Sequence, residues 1–130
     1  MTDDAERRVV NLSSDTISRD IETSLDTVFR VLANQTRRFA LYALHDVPDG
    51  VLDLETLIEE VVTLTASLDI HAFTQERYVD IASDLYYWHL PVLADVGAID
   101  YDTRHDTIRY LTPPSLEEWV ARVRAAELDG

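Results

Sequence analysis

The spacing of apolar residues changes twice along this chain and so divides it into three parts. From Ile21 to Asp95 apolar side chains recur at helical intervals, from Ala98 to Leu111 they alternate with polar ones, and after Pro114 the helical interval returns. Ile21, Leu25, Val28, Phe29 and Leu32 fall on one stripe and predict a first helix that ends near Asn34. Phe39, Ala40, Leu41, Ala43 and Leu44 predict a short second helix, stopped before Pro48, with Asp49-Gly50 as the turn. Asp53 suits the cap of a third helix carrying Leu54, Leu57, Ile58, Val61 and Val62, after which 63–73 reads as a connection. Thr74 caps a fourth helix, with Glu76 favourably placed in its first turn and Val79, Ile81, Ala82, Leu85 and Tyr86 turned inward. Pro91 either kinks this helix or divides it, because proline has no amide hydrogen and its ring crowds the preceding turn.

Gly97 is a natural helix stop. Beyond it Ile99 and Tyr101 alternate with Asp100 and Asp102, Thr103 to Asp106 make a polar turn, and Ile108, Tyr110 and Leu111 return. Residues 98–111 therefore read as a β-hairpin. Ser115 and Glu118 have the spacing of a capping box for a last helix bearing Leu116, Trp119, Val120 and Val123. The expected fold is mainly α with a β-hairpin, a winged helix-turn-helix plus a C-terminal helix. Its divisions are a polar tail over 1–20, the winged domain over 21–112, and a closing helix over 113–130.

Composition adds two constraints. Twenty-five acidic residues stand against 11 basic ones, a formal charge of -14, and all 11 are arginine. An acid excess without lysine suggests a high-salt cytoplasm, where a Debye length of about 3 Å at 1 M removes most like-charge repulsion. The fold is accordingly expected to depend on salt. The absence of cysteine excludes disulfides, thiolate metal sites and cysteine nucleophiles. His45, His71, His89 and His105 lack close ligand spacing, and three glycines leave no phosphate loop, so no enzyme, metal or cofactor is expected. Asp102, His105 and Asp106 are read as a solvated turn. No apolar run approaches the ~20 residues of a membrane span, and a cytoplasmic protein without membrane attachment is expected.

Two segments carry a resemblance. Leu32-Ala33-Asn34-Gln35-Thr36-Arg37-Arg38, continuing to Leu41 and Leu44, resembles the start of the second helix in ArsR-like transcription regulators. The stretch His89-Leu90-Pro91-Val92-Leu93-Ala94-Asp95-Val96-Gly97-Ala98-Ile99 is similar to their passage from recognition helix to wing. With Asp100-Tyr101-Asp102 following, the match is to an ArsR-like winged-helix domain of unknown function from halophilic archaea, over roughly residues 25 to 111. The resemblance implies a dimeric regulator that places one helix in the major groove of double-stranded DNA and a wing against the backbone. It puts Ser83, Asp84, Tyr87 and Trp88 toward the groove, with Arg104, His105 and Arg109 on the wing. Arg37 and Arg38 are further candidate DNA contacts, although Arg37 is the better placed for a structural ion pair. The dimer would join Ile21, Leu25 and Val28 to Leu116, Trp119, Val120 and Val123, unless the closing helix covers its own subunit instead.

Charge keeps a second reading open. Between Arg77 and Arg104 there is no lysine or arginine, while Asp80, Asp84 and Asp95 would meet phosphates with the wrong sign. Tyr86, Tyr87 and Trp88 are consecutive, and helix neighbours lie about 100° apart, so at least one faces outward. The alternative is a winged-helix module that binds another protein through this acidic, aromatic face.

Overall fold

The computed structural model describes residues 24–68 and 74–129. The tail over 1–20 and Ile21 lie outside the described residues. Helix α1, Leu25–Leu32, is capped by Ser24, whose hydroxyl oxygen accepts the Thr27 N–H at 3.2 Å. Its inner face is Val28, Val31 and Leu32, whereas Leu25 and Phe29, expected in the buried stripe, are more than half exposed. One turn later Asn34 caps α2, Gln35–Asp46, by accepting the Arg37 N–H at 3.2 Å. Six consecutive residues of α2, Phe39 to Leu44, are buried, so this helix is enclosed on all sides and forms the centre of the molecule. Val47, extended ahead of Pro48, ends it.

A short strand β1, Val51–Asp53, runs directly into α3, Leu54–Leu68. The Asp53 carboxylate accepts from the Thr56 N–H at 3.1 Å and the Thr56 hydroxyl at 2.7 Å. The expected connection from residue 63 is a correction, because α3 continues to Leu68, with Thr65 buried and its hydroxyl donating to the Val61 carbonyl at 2.8 Å. Helix α4, Gln75–Asp84, starts at Thr74, whose hydroxyl accepts the Arg77 N–H at 3.0 Å. It passes through one π turn, Leu85–His89, into α5, Leu90–Asp95. Val79, expected inside, is exposed, while Ile81, Leu85, Leu90 and Leu93 are buried.

Gly97 then reverses the chain at φ 79°. The Gly97 N–H donates to the Ala94 carbonyl and the Ala98 N–H to the Leu93 carbonyl, the paired bonds of a Schellman stop. Strands β2, Ile99–Asp102, and β3, Thr107–Tyr110, form the expected hairpin. Strand β3 also pairs with β1, giving an antiparallel sheet of order β1-β3-β2. Ile99, Ile108 and Tyr110 face the helices, and Arg109, opposite Asp100 in register, faces out. The Leu54 N–H donates to the Asp106 carbonyl at 2.8 Å and so ties the wing turn to the start of α3.

Helix α6, Pro114–Arg124, closes the structure and ends in a π turn, Ala125–Asp129. Proline at the first helical position starts it, which places Ser115 inside the first turn and corrects the expected capping box. Leu116 and Val120 are buried in the subunit's own core with Val28. The result is a mainly helical domain with the α3–α4 pair and wing of a winged helix-turn-helix. Among the described residues no helix is long and apolar enough to cross a membrane.

Candidate nucleic-acid and partner interface

The outer face of the α4–α5 segment is set by Pro91. An α-helix would need a Pro91 N–H for the Tyr87 carbonyl, and the proline ring would press on that carbonyl. The chain widens by one residue instead, and the Leu90 N–H donates to the Leu85 carbonyl five positions back. Such π turns recur at functional sites. Leu85 and Leu90 remain fully buried at its two ends, while Tyr86, Tyr87 and Trp88 between them are exposed by 42, 67 and 68%. Tyr86 lies edge-on to Tyr87, centroids 4.9 Å apart, and edge-on to Tyr101 of β2 at 6.5 Å. Tyr101 donates its hydroxyl to Asp106 at 3.3 Å, and partial burial with that carboxylate pushes its pKa up to about 12.

Ser83 and Asp84 are exposed on the same segment. No ion pair among the described residues engages Asp80 or Asp84. His89 is half-buried; its Nδ1 has no hydrogen-bond partner among the described residues, and burial followed by the Arg37 charge lowers its pKa.

On the wing Arg104, His105 and Arg109 are exposed. The Asp102 carboxylate organises the turn by accepting the Arg104 N–H at 3.0 Å and contacting the His105 Nδ1 at 2.8 Å, which lowers the Asp102 pKa. Among the described residues no group of three or more His, Asp or Glu is arranged to hold a metal ion. Two further exposed side chains, Gln75 and Arg77, sit in the first turn of α4. They are absent from the sequence-based candidates, although the Thr74 cap already marks them as the leading end of that helix.

The other expected contacts require correction. Arg37 donates from Nε to the Val31 carbonyl at 3.3 Å and from Nη2 to the Arg30 carbonyl at 2.8 Å, closing the C-terminal end of α1. Arg38 donates to the Leu32 carbonyl at 2.7 Å and forks onto both oxygens of Glu127 at 2.8 Å. Both guanidinium groups are thus engaged within the fold, Arg37 on two carbonyls and Arg38 on a carbonyl and a carboxylate. Glu127 also accepts the hydroxyl of the buried Tyr42 at 2.8 Å, and burial together with that carboxylate pushes the tyrosine pKa upward. A second carboxylate, Glu117, accepts the Tyr110 hydroxyl at 2.8 Å and faces His45 Nδ1 at 3.0 Å.

Val28, Leu116 and Val120 are also removed from the candidate dimer face, since each is fully buried in its own subunit. What α1 and α6 present outward is Leu25 and Phe29, with Phe29 edge-on to the partly buried Trp119 at 5.9 Å and Arg122 over the Trp119 ring at 5.7 Å. Val123 is partly buried beside the core.

Residues 29–109, more than half of the chain, match the model of a family described as a domain of unknown function, DUF7344. The chain belongs to the DUF7344 family. No curated protein and no solved structure gives a match. The matched DUF7344 span runs from Phe29 in α1 to Arg109 in β3, so it holds the helix-turn-helix pair and the wing but stops before α6 and Glu127.

Proposed function

We propose that this DUF7344 protein is a transcription regulator of the ArsR-like winged-helix type that binds double-stranded DNA as a homodimer. The observation that carries the reading is the α3–α4 pair followed by the β2–β3 hairpin, which exposes Arg104 and Arg109 and is joined through β3 to β1. Backbone positioning falls to these two arginines and His105, and groove contact to Gln75, Arg77 and Ser83. Titration of duplex DNA over a series of KCl concentrations tests it. Arg104→Ala/Arg109→Ala is expected to bind at least about tenfold more weakly, with a salt slope lower by about 2 per subunit, one phosphate per lost cation. Equal, negligible binding by wild type and variant rejects the reading.

The second copy is proposed to meet the Leu25, Phe29 and Trp119 patch, because large exposed apolar side chains clustered on the two terminal helices suit a two-fold contact. Phe29→Asp is expected to shift sedimentation from dimer to monomer. An unchanged dimer places the contact elsewhere.

A second reading, a protein-binding module, is favoured by one observation. Tyr87 and Trp88 stand exposed beside Asp84, and the segment from Tyr78 to Thr103 has no lysine or arginine to offer a phosphate.

A further inference from the structure

The face formed by Asp80, Asp84, Tyr87 and Trp88 is unlike the rest of the reader segment, and its chemistry specifies an occupant. Asp80 and Asp84 are four positions apart on α4 and exposed, a like-charge pair that weakens an isolated helix. No ion pair among the described residues engages them. Tyr87 and Trp88 lie within the π turn, where buried Leu85 and Leu90 fix the backbone at both ends and Tyr86 is held between Tyr87 and Tyr101. Both rings thus rise from a backbone held on either side, and Tyr87 is braced against Tyr86, so a ligand that covers them has less to order.

Carboxylates next to aromatic faces match a guanidinium, which forks onto carboxylate oxygens and stacks on rings, better than they match an ammonium. Phosphate is disfavoured by the same carboxylates, and unpaired bases would lack the basic groove that tracks a strand. We infer that the exposed face of Asp80, Asp84, Tyr87 and Trp88 is a docking surface for an arginine-rich segment of a second protein. It goes beyond the DNA reading and does not depend on it. Trp88 lies eleven residues beyond Arg77, about 16 Å along a helix, so the leading end of α4 remains free for a duplex.

The test is calorimetric titration of the full chain with a short arginine-serine peptide, its lysine-serine counterpart and duplex DNA. The arginine peptide is expected to bind, and to bind more tightly than the lysine peptide. Trp88→Ala and Asp80→Asn/Asp84→Asn are each expected to weaken it about tenfold. Glu59→Gln/Glu60→Gln, two exposed carboxylates on α3, is expected to leave it unchanged. All these side chains are exposed, and circular dichroism of each variant is the control for folding. Absence of binding overturns the inference, as does equal loss in the α3 control or indifference to Trp88→Ala, which would mean charge attraction to any acidic surface. Loss of duplex binding in Trp88→Ala with peptide binding intact assigns the face to DNA and also overturns it. The DNA reading itself stands or falls on Arg104 and Arg109, whose removal leaves this face untouched.

Discussion

Glu127→Ala is expected to lower folding stability by about 2–4 kcal/mol in urea denaturation, a large loss for a residue outside the matched family span. The carboxylate ties down two side chains of the central helix. It receives a two-pronged charge-assisted bond from Arg38 and the hydroxyl of Tyr42, a side chain of the central helix with no exposed surface. A charge-assisted bond contributes about 1.5–3 kcal/mol, and leaving a buried hydroxyl without a partner costs about 1–3. Side-chain exposures of 22% for Arg38 and 20% for Glu127 let water recover part of this, which keeps the sum below the two upper limits. Tyr42→Phe, which removes the hydroxyl and leaves the ion pair, is expected to cost only about 1 kcal/mol. A Glu127→Ala chain within half a kcal/mol of wild type would mean that the end of the chain does not brace α2.

The same contact has a pH signature. Arg38 above all, and Tyr42 with it, hold the Glu127 carboxyl below the usual carboxylate range. Its folded form therefore binds a proton less readily than its unfolded form. The stability this supplies is complete above the unfolded value of about 4.3 and drains away as pH falls through the lower folded value. Acid titration of stability is expected to show a descent below about pH 5 that is shallower in Glu127→Ala.

The second large effect separates neighbours on the reader segment. Leu85→Ala is expected to cost about 2–5 kcal/mol and Trp88→Ala less than about 0.5, although the tryptophan side chain is larger. Leu85 is fully buried and its truncation leaves a cavity, whereas Trp88 is 68% exposed and its removal mainly returns surface to water. Thermal unfolding of the two variants decides it. The reverse order of losses would mean that this segment is rotated and that its aromatic residues belong to the core.

Much of the fold was legible because it is dictated locally. The alternation of Ile99 and Tyr101 with aspartates gave the hairpin, Asp53 and Thr74 marked helix starts, and Gly97 marked a stop that needs positive φ. Strand β1 left no such trace. Three residues carry no period, and Val51–Asp53 is a strand only because β3, far along the chain, pairs with it. The stripe on α1 was misplaced since Val31, not Phe29, completes the inner face with Val28 and Leu32. Val61, Val62, Thr63 and Thr65 read as a helix fading into a connection, yet the helix persists because α2 packs beside it and Thr65 returns its hydroxyl to the turn below.

The candidate interface divides in the same way. That at least one of Tyr86, Tyr87 and Trp88 faces outward followed from helical geometry alone, and the π turn ahead of Pro91, anchored by buried Leu85 and Leu90, explains why all three emerge. The fates of Arg37 and Arg38 were not available from local pattern. Two adjacent arginines at a helix start look like phosphate ligands until the carbonyls of α1 and Glu127, 89 positions away, are brought to them.

That separation bears on how the molecule matures. During synthesis α2 emerges well ahead of Glu127, with the Tyr42 hydroxyl and two of the Arg38 nitrogens met only by water. The acid that will receive both is translated long afterwards, so the middle of the domain stays unsealed until Glu127 has cleared the ribosome.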